Sequence, residues 1–590
     1  MTSASQALNR MRKFDSLAKK GLKGLRCNSR CASTASKCRI VDGPKGEKII
    51  YSPISDISYP STFLQDFVWK NINNYENKIA LECSVTGRKY TFAESRDASN
   101  YIARSLVNLG LKQGDVVALI TPNLPETALA FLGILEAGLV VTTVNPFYTV
   151  DETTKQLKHS NAKAVICAAE IASTAQSAVK VALPTGTPFI VISDGTKQAP
   201  EGSIPFLDLV SKGKTLPQLS PLLRTPDDLA VLPFSSGTTG MPKGVMLSDL
   251  NLVSNIQMVD NSLGKEVLRP TTDSYQEVIP AVLPFFHIFG MNVIMLTSLT
   301  KGFKLVTLPK FVPELFIKVL ENYKASVLYS VPPIILFLAA SPFVKKSHLE
   351  NLHSVFSGAA PLSAPDVERL YKKLEINESA VKFCQGYGLT ETSPVSFIEK
   401  TGKKFSSIGK PICNCEARIV DPLTNEQISS PGKTGELWVR GPHVMKGYLN
   451  NEAATKETIT DDGWLKSGDI VYFDQDEDFF VTDRLKELIK VKGFQVAPAE
   501  LEALLRTHPD VEEAAVIGIP DEKSGEVPKA FIVPKKGKKP VQEDIQNFVK
   551  GKVSEFKELR GGVALIDAIP KNTTGKILRS HLKLQFVNNK

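Results

Sequence analysis

Ser235-Ser236-Gly237-Thr238-Thr239-Gly240-Met241-Pro242-Lys243-Gly244-Val245 packs two glycines, four hydroxyl residues and one lysine into its first nine positions. Such a loop bends tightly and turns backbone N–H groups and hydroxyls toward a phosphate, with a cation beside them. Its spacing differs from the phosphate loop G-x-x-x-x-G-K-[ST], because Pro242 and Lys243 follow Gly240-Met241. The stretch therefore predicts nucleotide binding of another kind.

Working outward, the residues before and after the loop alternate strand and helix. Residues 115–121 form a short apolar strand. Residues 124–137 are expected to be a helix, with Pro125 near its start and Gly138 after its end. Strands follow at 139–144, 162–168 and 187–193, with a helix at 150–160. That order predicts a doubly wound α/β core with helices on both faces of a parallel sheet. A change comes near 483: a strand at 479–482, one at 488–496, a helix from Pro498 carrying Leu501, Leu504 and Leu505, and strands at 514–519 and 529–533. This is a small α+β domain of ordinary size.

The chain has 590 residues, too many for one core. Ten of its 71 Lys/Arg and one of its 62 Asp/Glu lie in residues 1–41, so the rest carries 61 of each sign. The body thus gives no electrostatic basis for nucleic-acid binding. The first 41 residues are basic and rich in Ser and Ala, and residues 8–25 can form a basic amphipathic helix, so a mitochondrial targeting leader is expected. The alternatives are a disordered basic tail or a membrane-surface arm on a cytoplasmic or membrane-associated protein. The closing residues Val587–Lys590 do not spell the Ser-Lys-Leu peroxisomal ending. Cys413-x-Cys415 lacks a second pair at zinc spacing, so reduced, buried thiols are expected. Two windows, 281–300 and 325–344, carry no charge. Pro284, His287, Asn292 and Pro332-Pro333 interrupt them, and buried elements around an apolar cavity are expected, with peripheral membrane contact as the alternative.

Further motifs follow in order: Gln385-Gly386-Tyr387-Gly388-Leu389-Thr390-Glu391-Thr392, then Trp464-Leu465-Lys466-Ser467-Gly468-Asp469, then Asp483-Arg484, then Pro570-Lys571-Asn572-Thr573-Thr574-Gly575-Lys576. Together with the opening loop, this series resembles the adenylate-forming superfamily. The similarity runs over residues 50–585 and is greatest to the group of 4-coumarate–CoA ligases, beetle luciferases and fatty-acyl-CoA synthetases. The run Lys486–Leu504 carries much of it.

The resemblance implies a large N-terminal region of two doubly wound α/β subdomains and a β-barrel-like part (42–482). A hinge (483–486) and a small mobile C-terminal α+β domain (487–590) follow. It implies ATP-dependent activation of a carboxylate to acyl-AMP, release of pyrophosphate, and displacement of AMP by coenzyme A. In the adenylation step an anion attacks a polyanion, so positioning and electrostatic stabilisation must dominate.

The roles implied by the resemblance follow the matched positions. Ser235, Ser236, Gly237, Thr238, Thr239 and Lys243 hold the β- and γ-phosphates. Thr390 meets the α-phosphate and Glu391 helps bind Mg²⁺. Gly358, Ala359, Ala360, Gln385, Gly386 and Tyr387 flank adenine. Asp469 takes the ribose hydroxyls, with Arg484 nearby. Lys576 bridges the carboxylate and the α-phosphate. The small domain rotates about Lys486, exchanging the Lys576 loop for a face with Lys490 and Gln495 toward the adenylate and Lys492 and Gly493 toward CoA.

Pro284–Met291 resembles the family's acyl-site segment, with His287 by the substrate carboxylate. Phe289 and Val293 stand where coumarate ligases often carry a tyrosine and a polar residue. An apolar wall favours an alkyl chain over a phenol, whose buried hydroxyl needs a partner. A medium or long fatty acid is therefore the expected substrate. The alternatives are an aryl-acid–CoA ligase, a silent nucleotide- or acyl-binding relative, a luciferase, or an enzyme that loads a carrier protein.

Overall fold

The computed structural model describes residues 37–590 apart from 44–46, 194–196, 198, 236–241, 266, 360, 361, 363, 376–380, 486, 492, 493, 551, 572–574, 576 and 587–590. The leader and its expected helix over 8–25 lie outside the described residues.

Apolar strands Val116–Ile120, Val140–Thr143, Ala162–Ala168 and Phe189–Ile192 run parallel within a nine-stranded sheet. Their β-branched runs are buried on both sides, as parallel strands between helices require. The helix Pro125–Glu136 has Pro at its first turn and buries every residue but Glu136. Gly138 follows it at φ +72°, a conformation that favours glycine. The strand Lys243–Ser248 joins this sheet antiparallel to Leu229–Val231, and Phe234–Ser235 pairs with it at the sheet edge.

A second sheet orders Val327–Ser330, Ser354–Ser357 and Lys382–Gly388 in parallel, then Val395–Glu399 and Lys410–Pro411 antiparallel. A four-stranded sheet of Val278–Ala281, Lys304–Thr307, Ile79–Cys83 and Lys89–Thr91 lies on the same core. The barrel-like part is a seven-stranded antiparallel sheet that includes Glu416–Val420, Gly435–Arg440, Leu465–Phe473 and Phe479–Arg484. The small C-terminal α+β domain has a five-stranded sheet and two apolar clusters of its own, drawn from Ile489 to Leu582.

The expected strand over 488–496 is instead two strands, Ile489–Val491 and Phe494–Val496, paired antiparallel with Val491 opposite Phe494. Both arms alternate apolar and polar residues, and only the Lys492-Gly493 pair between them marks where the chain reverses. The first charge-free window is largely interior, and the second is buried over 325–331 but leaves Phe343 72% exposed. Met291, Ile294, Leu296, Val327 and Leu328 are fully buried. Among the described residues no helix is long and apolar enough to cross a membrane. Six described cysteines, Cys413 and Cys415 included, are buried and unpaired.

Glu136 accepts hydrogen bonds from Ser99 Oγ at 2.9 Å and Asn100 Nδ2 at 3.2 Å, on the neighbouring helix Phe92–Asn108. Burial pushes its carboxyl up to about 7 from 4.5, against those bonds. Between these pH values the folded protein binds the proton and the unfolded chain does not, so stability falls as pH rises through that window. Glu136→Gln removes this contribution, on the order of 2 kcal/mol. Urea-unfolding free energies at pH 5 and pH 8 are expected to differ less for the variant than for the wild type; an unchanged difference refutes the assignment.

Candidate active site

A cavity of about 890 Å³ opens between the second sheet, the barrel-like part and the small domain. Its walls include Ser235 and Lys243, Phe286–Phe289, Gly358 and Ala359, Gln385–Glu391, Gly468 and Arg484. The small domain contributes Lys571, Leu578 and His581.

One wall gathers the hydroxyl, cation and carboxylate expected around phosphates. Ser235 pairs with Lys243 across the base of the loop. Ser235 Oγ donates to Glu391 Oε1 at 2.9 Å, bridging 156 positions of sequence. The same oxygen accepts the Tyr448 hydroxyl at 3.0 Å. The Lys243 ammonium lies 4.6 Å from the centre of the Tyr448 ring, a cation–π contact. Burial, and then the Glu391 charge, raise the Tyr448 phenol so that it stays a donor. Thr390 begins a short 3₁₀ turn that carries Glu391. Sequence reasoning did not single out Tyr448; a Gly-Tyr pair after a barrel strand gives no sign of its partners. Ser236, Gly237, Thr238 and Thr239 lie outside the described residues.

Opposite them, Asp469 is 2% exposed. Its Oδ2 accepts the Tyr387 hydroxyl at 2.6 Å, and its Oδ1 lies 3.0 Å from Arg484 Nε. Asp469 and Arg484 face each other on adjacent strands, and Asp469 holds the guanidinium firmly protonated. Gly468 turns at φ +72°, and its N–H donates to Glu436 Oε1 at 3.1 Å. Glu436 also accepts the Trp438 indole N–H at 2.8 Å. Glu436 and Trp438 line the cavity and were likewise missed. Between these walls Ala359 holds φ +68°, a costly conformation for a side-chain-bearing residue. Gly386 has open space where a side chain would project, which suits a flat ring. The Gln385 amide donates to the Phe405 carbonyl, so its side chain braces the strand. Ala360 is not among the described residues.

The third wall is apolar. Phe289 begins a wide π-helix, Phe289–Leu296, that also carries Val293. Gly290 sits where a Cβ would lie 2.0 Å from the Pro284 carbonyl oxygen, so only glycine permits the turn after His287. The Phe289 ring meets Tyr329 edge-on at 6.4 Å, and Tyr329 stacks on Phe356 at 4.8 Å. All three rings line the cavity. His287 Nδ1 accepts the Phe289 N–H at 3.3 Å. Burial pushes the imidazole down to about 4, so at pH 7 it is neutral, with Nε2 carrying the proton.

The C-terminal motif approaches from the small domain. Lys571 bridges to Ile577, and a Cβ on Gly575 would lie 2.8 Å from Pro333 Cγ of the large domain. The segment around Lys576 therefore rests at the cavity mouth, although Lys576 itself, like Lys486, Lys492 and Gly493, is not described. Lys490 is exposed, pairs with Gln495 across two strands, and does not line the cavity in this arrangement.

Among the described residues, one group of three acids could gather a metal ion, Asp474, Asp476 and Asp478. The Lys404 ammonium already reaches all three, at 2.6, 2.8 and 2.7 Å. Glu391 fits the smaller demand of Mg²⁺, which takes one or two carboxylates and completes its shell with phosphate oxygens and water.

Residues 68–449 match the AMP-binding enzyme family, and residues 500–576 match the AMP-binding enzyme C-terminal domain. The chain is 39% identical to 4-coumarate–CoA ligase 1 of Arabidopsis thaliana, over 92% of its own length and 96% of the plant protein's. Among solved structures it is similar to ATP-bound MatB from Rhodopseudomonas palustris, with 28% identity, TM-score 0.78 and coverage of 89% of this chain and 99% of that one. It is also similar to the anthranilate CoA ligase AuaEII in complex with anthranoyl-AMP, with 25% identity, TM-score 0.77 and coverage of 89% and 97%. These relatives overturn the fatty-acid reading of Phe289 and Val293. An apolar wall excludes unpaired polar groups but does not tell alkyl from aromatic carbon, and Tyr329 and Phe356 complete a ring-lined wall that the local motif did not reveal. The chain belongs to the AMP-binding enzyme family, within the adenylate-forming superfamily of AMP-forming acid–thiol ligases close to the 4-coumarate–CoA ligases.

Proposed function

We propose that this protein is an aryl-acid–CoA ligase acting on carboxylates of the hydroxycinnamate class. The observation that carries the reading is the wall of Phe289, Tyr329 and Phe356 beside His287, in the cavity that also holds Ser235, Lys243 and Glu391. A planar conjugated acid presents faces and edges that such rings contact well. The 4-coumarate–CoA ligases at 37–39% identity support the same substrate class.

In this reading ATP lies with its adenine along Gly386 and Ala359, its ribose on Asp469 and its phosphates toward Ser235, Lys243 and Thr390. The aryl carboxylate attacks the α-phosphate, and pyrophosphate leaves. Lys243 and Lys576 offset the negative charge that gathers there, which a partly desolvated cavity makes more effective than water would. Glu391 would hold Mg²⁺, which would offset the charge of the phosphates. The neutral His287 donates Nε2–H to a carboxylate oxygen and orients the acid without adding a charge. In the second half-reaction the CoA thiol attacks the acyl carbon and AMP departs.

The test is AMP formation by the full chain with ATP and CoA, offered 4-coumarate, octanoate and palmitate in turn. The kcat/KM for coumarate is expected to exceed that for either fatty acid by about ten-fold or more, the discrimination available to a shaped pocket. A preference for octanoate or palmitate overturns the substrate class.

A further inference from the structure

A second charged cluster lies outside the cavity, where the chain passes from the large domain to the small one. Arg579 opens the helix Arg579–Phe586, three residues after Lys576. Its side chain is 14% exposed. Nη2 donates to Glu502 Oε1 at 2.8 Å, Nη1 lies 3.0 Å from Glu487 Oε2, and Nε donates to the Val516 carbonyl at 3.3 Å. Asp483, 5% exposed, is the penultimate residue of the last barrel strand, Phe479–Arg484. It accepts the Arg484 N–H at 2.7 Å. It also accepts the Ala499 N–H at 3.1 Å, in the first turn of the small domain's helix Pro498–Arg506. That helix has no side-chain cap of its own. A carboxylate of one domain therefore caps a helix of the other, where the helix dipole favours negative charge.

Glu487 and Glu502 pair with the Arg579 guanidinium, whose charge also reaches the nearby Asp483, while Arg506 adds a second positive charge near Glu502. Burial pushes Asp483 up to about 7, against its two N–H bonds and the pull of Arg579. Burying an excess of acids costs stability that apolar packing would not. The small domain already has apolar clusters of its own. The polar joint is thus poorly explained by stability alone.

Motion gives it a use. Lys571, Leu578 and His581 close over the cavity, yet pyrophosphate must leave and a thiol must reach the acyl carbon. The small domain has to come away between the half-reactions. A joint of hydrogen bonds and charges releases at less cost than an apolar one, because water replaces the lost partners. Its geometry also bears on the site: Arg484, which pairs with Asp469, directly follows Asp483, and Arg579 directly follows the Lys576 segment.

We propose that Asp483 is a positioning residue, a latch that docks the small domain in the placement used for adenylation and is released before thioester formation. Arg579 supplies the charge that lets Asp483 occupy the joint. The proposal rests on the two-step ligase reading given above.

Two half-reactions of the full chain separate the outcomes: acid-dependent ATP–pyrophosphate exchange, and thioester formation from supplied acyl-AMP and CoA. Asp483→Ala is expected to lower exchange about ten-fold, the size of one good helix cap, and to leave thioester formation within about two-fold. Asp483→Asn keeps an acceptor oxygen for the Ala499 N–H and is expected to retain most of the exchange rate. Equal losses in both half-reactions, or no loss in either, overturn the latch. Should Asp483→Ala fold poorly, Asp483→Asn and Arg579→Lys carry the comparison, since loss of folded protein lowers both rates alike. If the wild type fails to exchange with coumarate but does so with another acid, the substrate reading fails, and the latch is then judged with that acid.

Discussion

Lys576→Ala is expected to lower adenylation about 10²–10³-fold while leaving thioester formation from supplied acyl-AMP within about three-fold, the scale of one electrostatic contact made mainly in the transition state. The reason is where the new charge gathers. When a carboxylate attacks the α-phosphate, negative charge concentrates between two anions, and a compact ammonium on a flexible stem can follow it. The residues around Lys576 come to the right place: Gly575 packs on Pro333, Ile577 pairs with Lys571, and Lys571 and Leu578 line the cavity mouth. Thioester formation starts from the finished mixed anhydride and makes no such demand. Pyrophosphate exchange and single-turnover thioester formation, measured on one preparation, decide the matter. Equal losses in both would remove Lys576 from its role.

Asp469→Asn is expected to weaken AMP and ATP binding by roughly 30–100-fold, the loss of one or two charge-assisted hydrogen bonds. Both half-reactions should slow together, unlike the Lys576 case, because AMP occupies the site in each. Asp469 accepts from Tyr387 and faces Arg484, and in the proposed reading it also takes the ribose hydroxyls. An amide brings an N–H₂ into a place ringed by donors, so one of its neighbours loses an acceptor. Folding should suffer less than binding. Arg484 is 32% exposed and can hydrate when its partner loses charge. Calorimetric titration of AMP checks the first effect and a thermal melt the second. Unchanged AMP affinity would place the ribose elsewhere.

The arrangement of the nucleotide site was legible to different depths. Ser235, Lys243, Gln385–Glu391 and Asp469 belong to short motifs whose glycines and hydroxyls disclose tight turns and phosphate chemistry locally. Strand–helix alternation from residue 115 likewise discloses a parallel sheet, since its signal lies within a few residues. The hairpin at 489–496 was read as one strand because both arms carry the same alternation of apolar and polar residues. Tyr448, Glu436 and Trp438 escaped for a different reason. Tyr448 and Glu436 act on residues far along the chain, as Tyr448 does on Glu391 57 positions away, and Trp438 reaches the site through Glu436. The substrate wall was misread because Phe289 and Val293 are only part of it. Tyr329 and Phe356 arrive on separate strands of the second sheet.

The sequence by itself determined the family, the two-domain α/β architecture and the short motifs from which the proposed nucleotide site is drawn, because backbone turns and phosphate-binding chemistry are written in adjacent residues. Only the tertiary structure decided which side chains hold those groups in place: Tyr448 between Lys243 and Glu391, Glu436 under the Gly468 turn, Asp483 across the joint. Such pairings depend on how separately formed sheets and helices pack, and packing brings together residues whose separation along the chain carries no trace of the contact.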